Sequence, residues 1–95
     1  MKSRLISVAE AEFADGAEYY EDEAGLGNEF ITTILKTIGL IETNPTIGRL
    51  VGKRVRSVPT RRFPYSIVYE IVENQIVIVA IAHQSRRPAY WHGRV

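Results

Sequence analysis

The side chains in this sequence best suited to chemistry are arginines interleaved with aromatic residues in its second half. One group is Arg54, Arg56, Arg61 and Arg62; a second is Arg86, Arg87 and Arg94; Phe63, Tyr65, Tyr90 and Trp91 stand among them. Guanidinium groups grip phosphate oxygens through forked hydrogen bonds, and aromatic faces stack on bases, so the mixture suits contact with a polyanion. Taken singly, any one of these arginines reads as solvated surface, and Tyr90 and Trp91 read as a plug in the core. The clustering is what marks a binding surface. Charge segregation points the same way. The net charge is only +1, but residues 1–47 carry nine acidic and three basic side chains, and residues 48–95 carry nine basic and two acidic ones. A basic surface built by the C-terminal half, with a polyanionic partner, is the natural reading.

Other chemistries find little support. The chain has no cysteine, which removes disulfides, thiol catalysis and thiolate zinc sites and is compatible with a reducing cytoplasm. His83 and His92 are the two histidines, and no carboxylate stands at metal-ligand spacing from either. His83 ends a predicted strand, where a packed or capping role is ordinary. His92 lies in the tail and could act as a general base, but no visible carboxylate orients it. There is no Ser/His/Asp set, no phosphate-cradling glycine loop and no paired-carboxylate signature. The acidic residues fall on predicted helices, where a solvated face is the default. No metal and no cofactor is expected.

Elements must position these residues, and the chain offers one set of them. Ninety-five residues suit a single domain, 1–95, around one core. With 45% apolar and 24% charged residues the composition is that of a folded soluble protein. No signal peptide is visible, since Glu10, Glu12 and Asp15 interrupt the N-terminal stretch, and the seven-residue apolar run Ile76–Ala82 is too short to span a bilayer. Residues 3–8 read as a strand. Phe13, Ala17, Tyr20 and Ala24 share one helical face and predict a helix over 9–24, with Glu12, Asp15, Glu18, Asp22 and Glu23 opposite. Gly16 weakens that helix, and Gly25 and Gly27 break it. Asn28 is a suitable N-cap for a second helix to about Glu42, with Phe30, Ile34, Ile38 and Ile41 as its stripe and Ile31 and Leu35 widening it; Asn44-Pro45 ends it.

Three strands are predicted next: 54–58, stopped by Pro59; 65–72; and 75–83, joined to the previous one by a tight Glu73-Asn74 turn. The order β-α-α-β-β-β predicts an α+β fold, a helical hairpin packed on one face of a small, mainly antiparallel sheet. Tyr65, Ile67, Tyr69 and Ile71 point to one face, and Ser66, Val68, Glu70 and Val72 to the other. The last strand is apolar on both, with Ile76, Ile78 and Ala80 against Val77, Val79 and Ile81. Two helices cover one face only. The other is left open to a protein partner, unless the 45–53 loop or the C-terminal tail folds over it.

The stretch Arg61-Arg62-Phe63-Pro64-Tyr65-Ser66-Ile67-Val68-Tyr69-Glu70-Ile71, then Ile78–His83 and Arg86-Arg87-Pro88-Ala89-Tyr90-Trp91, resembles the RelE/ParE toxin superfamily and is most similar to its ParE-like, plasmid-stabilisation branch. The preceding hairpin, ending Ile41-Glu42-Thr43-Asn44-Pro45, fits as well, so the resemblance spans nearly the whole chain. It implies a cytoplasmic prokaryotic toxin held in a hetero-oligomer by a cognate antitoxin. ParE-like members poison DNA gyrase; RelE-like members cut messenger RNA on the ribosome without a metal. If the chain is a nuclease, Arg62, Arg87 and Tyr90 are its catalytic candidates. Arg61, Arg62, Arg86, Arg87, Tyr90 and Trp91 are expected to bind the target, and Val68, Val72, Val77 and Val79, on the open sheet face, the antitoxin. The sequence departs from a RelE-like nuclease where Ser66 replaces the strand arginine and where Ser57 and Pro59 stand in place of lysines. That tilts the reading toward a ParE-like binding toxin. A toxin-like domain that only binds a partner is the third alternative.

Overall fold

Phe30, Ile34, Ile38 and Ile41 recur at helical spacing, and in the computed structural model, which describes residues 1–95, they form the buried stripe of one helix. The chain runs β1 (Ser3–Leu5), α1 (Ser7–Ala24), α2 (Gly27–Thr43), β2 (Arg49–Leu50), β3 (Val55–Pro59), β4 (Tyr65–Val72) and β5 (Gln75–His83), and ends in a 3-10 turn at His92–Arg94. No helix is long and apolar enough to cross a membrane. The expected order stands, with the two-residue β2 added inside the 45–53 loop. β1 is shorter than the predicted strand because α1 already starts at Ser7. The first helix ends where Gly25 turns left-handed (φ 66°), and the Leu26 amide reaches back to the Tyr20 carbonyl at 3.0 Å. α2 starts one residue before Asn28: the Glu21 carboxylate accepts from the Gly27 amide at 3.2 Å and does the capping. Leu35 does not widen the stripe; it is exposed.

The sheet has the order β1-β5-β4-β3-β2, antiparallel throughout except for the parallel β1–β5 pair. The α1–α2 hairpin covers one face. Beneath it lie Ile67, Tyr69, Ile76, Ile78 and Ile81, with Ala9, Phe30, Ile34, Ile38, Ile41 and Phe63 above. Burying each large apolar side chain contributes about 1.5–3 kcal/mol relative to leaving it exposed. Tyr69 also carries a polar tie. Its hydroxyl donates to the Pro45 carbonyl at 2.7 Å and accepts from the Gly48 amide at 3.1 Å, which fixes the loop after α2.

Strict alternation along β5 fails at one point. Val68 pairs with Ala80 but Tyr69 with Ile78, so Val79 is the extra residue of a β-bulge. Past it the faces swap: Ala80 joins Val77 and Val79 on the far side, and Ile81, expected there, belongs to the helix-side core. The far side is not open either. Val55, Val68, Val77, Val79, Ala80 and Ala82 form a second core beneath Trp91, with Val51 and Tyr90 packed at its margin. The tail and the loop before β3 supply the cover. Of the four valines assigned to an open face, only Val72 is exposed; Val68, Val77 and Val79 are buried.

Candidate target-binding surface

The ends of three strands bring the basic residues together. Pro59 at the end of β3 pairs with Ser66 near the start of β4, and Tyr65 pairs with His83 at the end of β5. The β3–β4 turn is tightly held. Thr60 Oγ1 donates to the carbonyls of Phe63 (3.1 Å) and Tyr65 (3.0 Å), and the Gln84 amide donates to the Pro64 carbonyl at 2.7 Å. This end of the sheet therefore displays Arg61 and Arg62 from the turn and Arg86 and Arg87 from the tail, all four exposed. The other members of the two expected clusters are elsewhere. Arg54 precedes β3 at its opposite end, and Arg56 turns inward, donating to the carbonyls of Gly48 (2.7 Å) and Thr46 (3.2 Å).

Arg94 is withdrawn too, by a residue the sequence reading left on a solvated face. Glu12, on α1, forms an ion pair with Arg94 at 2.9 Å and accepts the Tyr90 hydroxyl at 2.7 Å and the Ile81 amide at 3.1 Å. The physical cause is the shortness of β1, which pairs with β5 only at residues 76–78 and leaves the next stretch of that edge unpaired. Side chains finish the job: Glu12 takes the Ile81 N–H and Arg94 donates to the Val79 carbonyl at 2.9 Å. A signal existed in the sequence. Ala9, Glu12, Phe13 and Gly16 follow the spacing of a buried helical face, so Glu12 stands among core positions.

This arrangement sets the state of Tyr90. Burial first, and the hydrogen bond to Glu12 second, push its hydroxyl well above the usual tyrosine range, so the proton stays on the ring oxygen. Two guanidiniums lie against the ring, Arg86 at 4.0 Å and Arg94 at 5.0 Å from its centroid. Trp91, expected at the target surface, is buried as the lid of the second core. Phe63 and Tyr65 likewise turn toward the hairpin: their ring centroids lie 5.3 Å and 5.0 Å from that of Phe30. Burial raises the Tyr65 hydroxyl as well. His83 is a turn cap, with Nδ1 accepting from the Ser85 amide at 3.0 Å. His92 is exposed, and no carboxylate holds it. Nowhere do three acidic or histidine side chains converge on a point that would hold a metal.

Ser66 lines a separate open groove of about 530 Å³ with Ile47, Arg49, Ser57, Val58, Pro59 and Gln84. Arg49 is its one charged residue, and no histidine, carboxylate or tyrosine enters it. The groove can hold an anion but has no group fitted to move a proton near neutral pH.

The family model for the ParE toxin of the type II toxin–antitoxin system parDE matches residues 7–88. No curated protein matches the sequence. Among solved structures, the chromosomal ParDE toxin–antitoxin system of P. aeruginosa is similar in fold, with a TM-score of 0.78 and 19% identity over 87% of this chain and 95% of that one. The isolated E. coli RelE toxin is similar with a TM-score of 0.69 and 15% identity over 98% of this chain and 94% of that one. At such identities the structures speak for the fold, and the family model speaks for the lineage: an α+β chain with four exposed arginines at one end of its sheet, it belongs to the ParE toxin family of type II toxin–antitoxin systems.

Proposed function

We propose that this toxin arrests growth by binding DNA gyrase through the basic end of its sheet, and that it cuts no RNA. The observation that carries the reading is the content of the Ser66 groove: one guanidinium, two serines, the Gln84 side chain and three apolar residues. Phosphodiester cleavage needs a group that takes a proton and one that returns it, beside cations that stabilise the developing charge. Tyr90, the candidate proton carrier, has its hydroxyl bound to Glu12 and its proton held there by burial. A binding toxin needs no such machinery. Arg61, Arg62, Arg86 and Arg87, with the rim of Tyr90, supply contacts whose loss on a partner costs roughly 2–5 kcal/mol each when desolvated. A RelE-like fold does not argue otherwise, since one fold carries many functions and the site decides.

A cognate antitoxin neutralises the toxin in a cytoplasmic hetero-oligomer. Its contact is assigned to the far face of the sheet, at exposed Val72 directly, and at Val68, Val77 and Val79 only where the tail carrying Trp91 gives way. The test is induced expression without antitoxin, scoring the DNA-damage response beside messenger RNA integrity. A damage response with intact transcripts is expected. Cleaved transcripts without a damage response would transfer the protein to the nuclease class, and harmless expression of the folded chain to the class of inactive binding domains.

A further inference from the structure

The opposite flank of the basic end, where α2 meets the β3–β4 turn, carries a feature that the target-binding residues alone do not describe. Two adjoining hollows, of about 310 and 460 Å³, meet at Thr33 and Lys36. Arg62 lines the first and Arg61 the second. We propose that Lys36, Arg61 and Arg62 form a phosphodiester-binding groove that seats the backbone of duplex DNA. The inference deepens the proposed function, because it names the chemistry met by Arg61 and Arg62, and it adds a residue from the acidic half of the chain.

Four observations support it. Lys36 is the one basic residue of α2, and it shares one hollow with Arg62 and the other with Arg61. None of the three cations is spent inside the chain, whose one ion pair is Glu12–Arg94. The arginines are presented by a rigid turn. The Thr60 hydroxyl bridges two of its carbonyls, Arg62 holds a left-handed φ of 73°, and its guanidinium lies 5.5 Å over the buried Phe63 ring. A left-handed conformation is unfavourable for a residue with a side chain, and it persists only where the surroundings enforce it. Finally, Glu29 is the sole acid in either hollow, so the groove keeps a balance of two positive charges.

The walls decide which polyanion fits. Two cationic hollows that share Thr33 and Lys36 offer a backbone lying across them cations in succession, and the Thr32 and Thr33 side chains at the first hollow add neutral donors. Neither hollow has an aromatic ring in its lining. Single strands are held largely by stacking their bases on such rings, so a groove without them reads the backbone of a stacked duplex, without sequence preference.

The test is equilibrium binding of a short labelled duplex DNA of arbitrary sequence to the purified toxin over a series of salt concentrations, with no gyrase present. Lys36→Gln should weaken binding and make the log–log salt dependence shallower by about 0.9, the value for one lost phosphate contact. Glu29→Gln should tighten binding, a gain that a damaged fold does not produce. Lys53→Gln, in the loop before β3, should leave binding as it is. The proposal is overturned if the wild type fails to bind at low salt, if Lys36→Gln and Lys53→Gln weaken binding equally, or if Glu29→Gln changes nothing. Tighter binding of single-stranded RNA than of the duplex, lost with Lys36→Gln, would overturn the assignment to DNA. Since gyrase is absent from the assay, a negative result here leaves the gyrase reading standing, and a toxin without effect on gyrase leaves this result standing.

Discussion

The two carboxylate oxygens of Glu12 accept hydrogen bonds from the Ile81 amide, the Tyr90 hydroxyl and both terminal nitrogens of Arg94. One helix side chain thus closes a sheet edge and holds down the C-terminal tail. Both partners of the ion pair are mostly buried, with side-chain exposures of 18% for Arg94 and 16% for Glu12. Removing the acid leaves the Tyr90 hydroxyl and the Ile81 amide without their acceptor, and the guanidinium with the Val79 carbonyl alone. Glu12→Ala should therefore cost roughly 1–3 kcal/mol, somewhat below the cost of breaking a fully buried pair. For a chain of this size each kcal/mol lowers the melting temperature by about 4–8 °C. Thermal melting checks this, and a variant as stable as the wild type would show that the latch is ornamental. Glu12 was half legible in the sequence. It stands three residues after Ala9 and next to Phe13, at the edge of the buried face, although the Phe13, Ala17, Tyr20 and Ala24 stripe puts it opposite.

At the scale of elements, the α1–α2 hairpin depends on a close approach at Gly16. A Cβ there would stand 2.6 Å from Phe30 Cζ and 2.8 Å from Cε2, and the Phe30 ring is fully buried among Phe13, Tyr20, Phe63 and Tyr65. Gly39, on α2, has open space around the same position. Gly39→Ala should stabilise the protein by about 0.5–1 kcal/mol through helix propensity, whereas Gly16→Ala should destabilise it by about 1–3 kcal/mol through overpacking. Denaturant unfolding of the two variants reads the opposite signs, and stabilisation by both would contradict the packing described. The elements themselves were legible, because Phe30, Ile34, Ile38 and Ile41 repeat at helical spacing and the Glu73-Asn74 turn separates two clear strands. The bulge at Val79 was not. β5 is apolar on both sides, so no alternation betrays a change of face at Ala80 and Ile81. The two-residue β2 carries too short a pattern to detect.

For the molecule as a whole, the split of charge along the chain is only partly a split in space: four exposed arginines stand at one end of the sheet, but α1, with seven acidic residues and no basic one, brings Glu12 and Asp15 to the same hollow as Arg86 and pairs Glu12 with Arg94. Trp91 and Tyr90 show why sequence overstates such a surface. Arginines next to aromatics suggest stacking, but the tail folds back and spends the indole on covering Val68, Val77 and Val79. The arginines should therefore separate function from stability. Arg87→Ala, or Arg61→Ala combined with Arg62→Ala, should reduce toxicity while shifting stability by less than about 0.5 kcal/mol per exposed site. Growth and melting assays on the same variants check this; full toxicity in both would reduce the basic end to solvated surface. The most direct measurement takes purified wild-type toxin to purified DNA gyrase with plasmid DNA and, in parallel, to translating ribosomes with messenger RNA. Gyrase-bound double-strand breaks with uncut transcripts are expected. Unimpaired gyrase beside transcripts cut on the ribosome would contradict the assignment of this chain as a binding toxin.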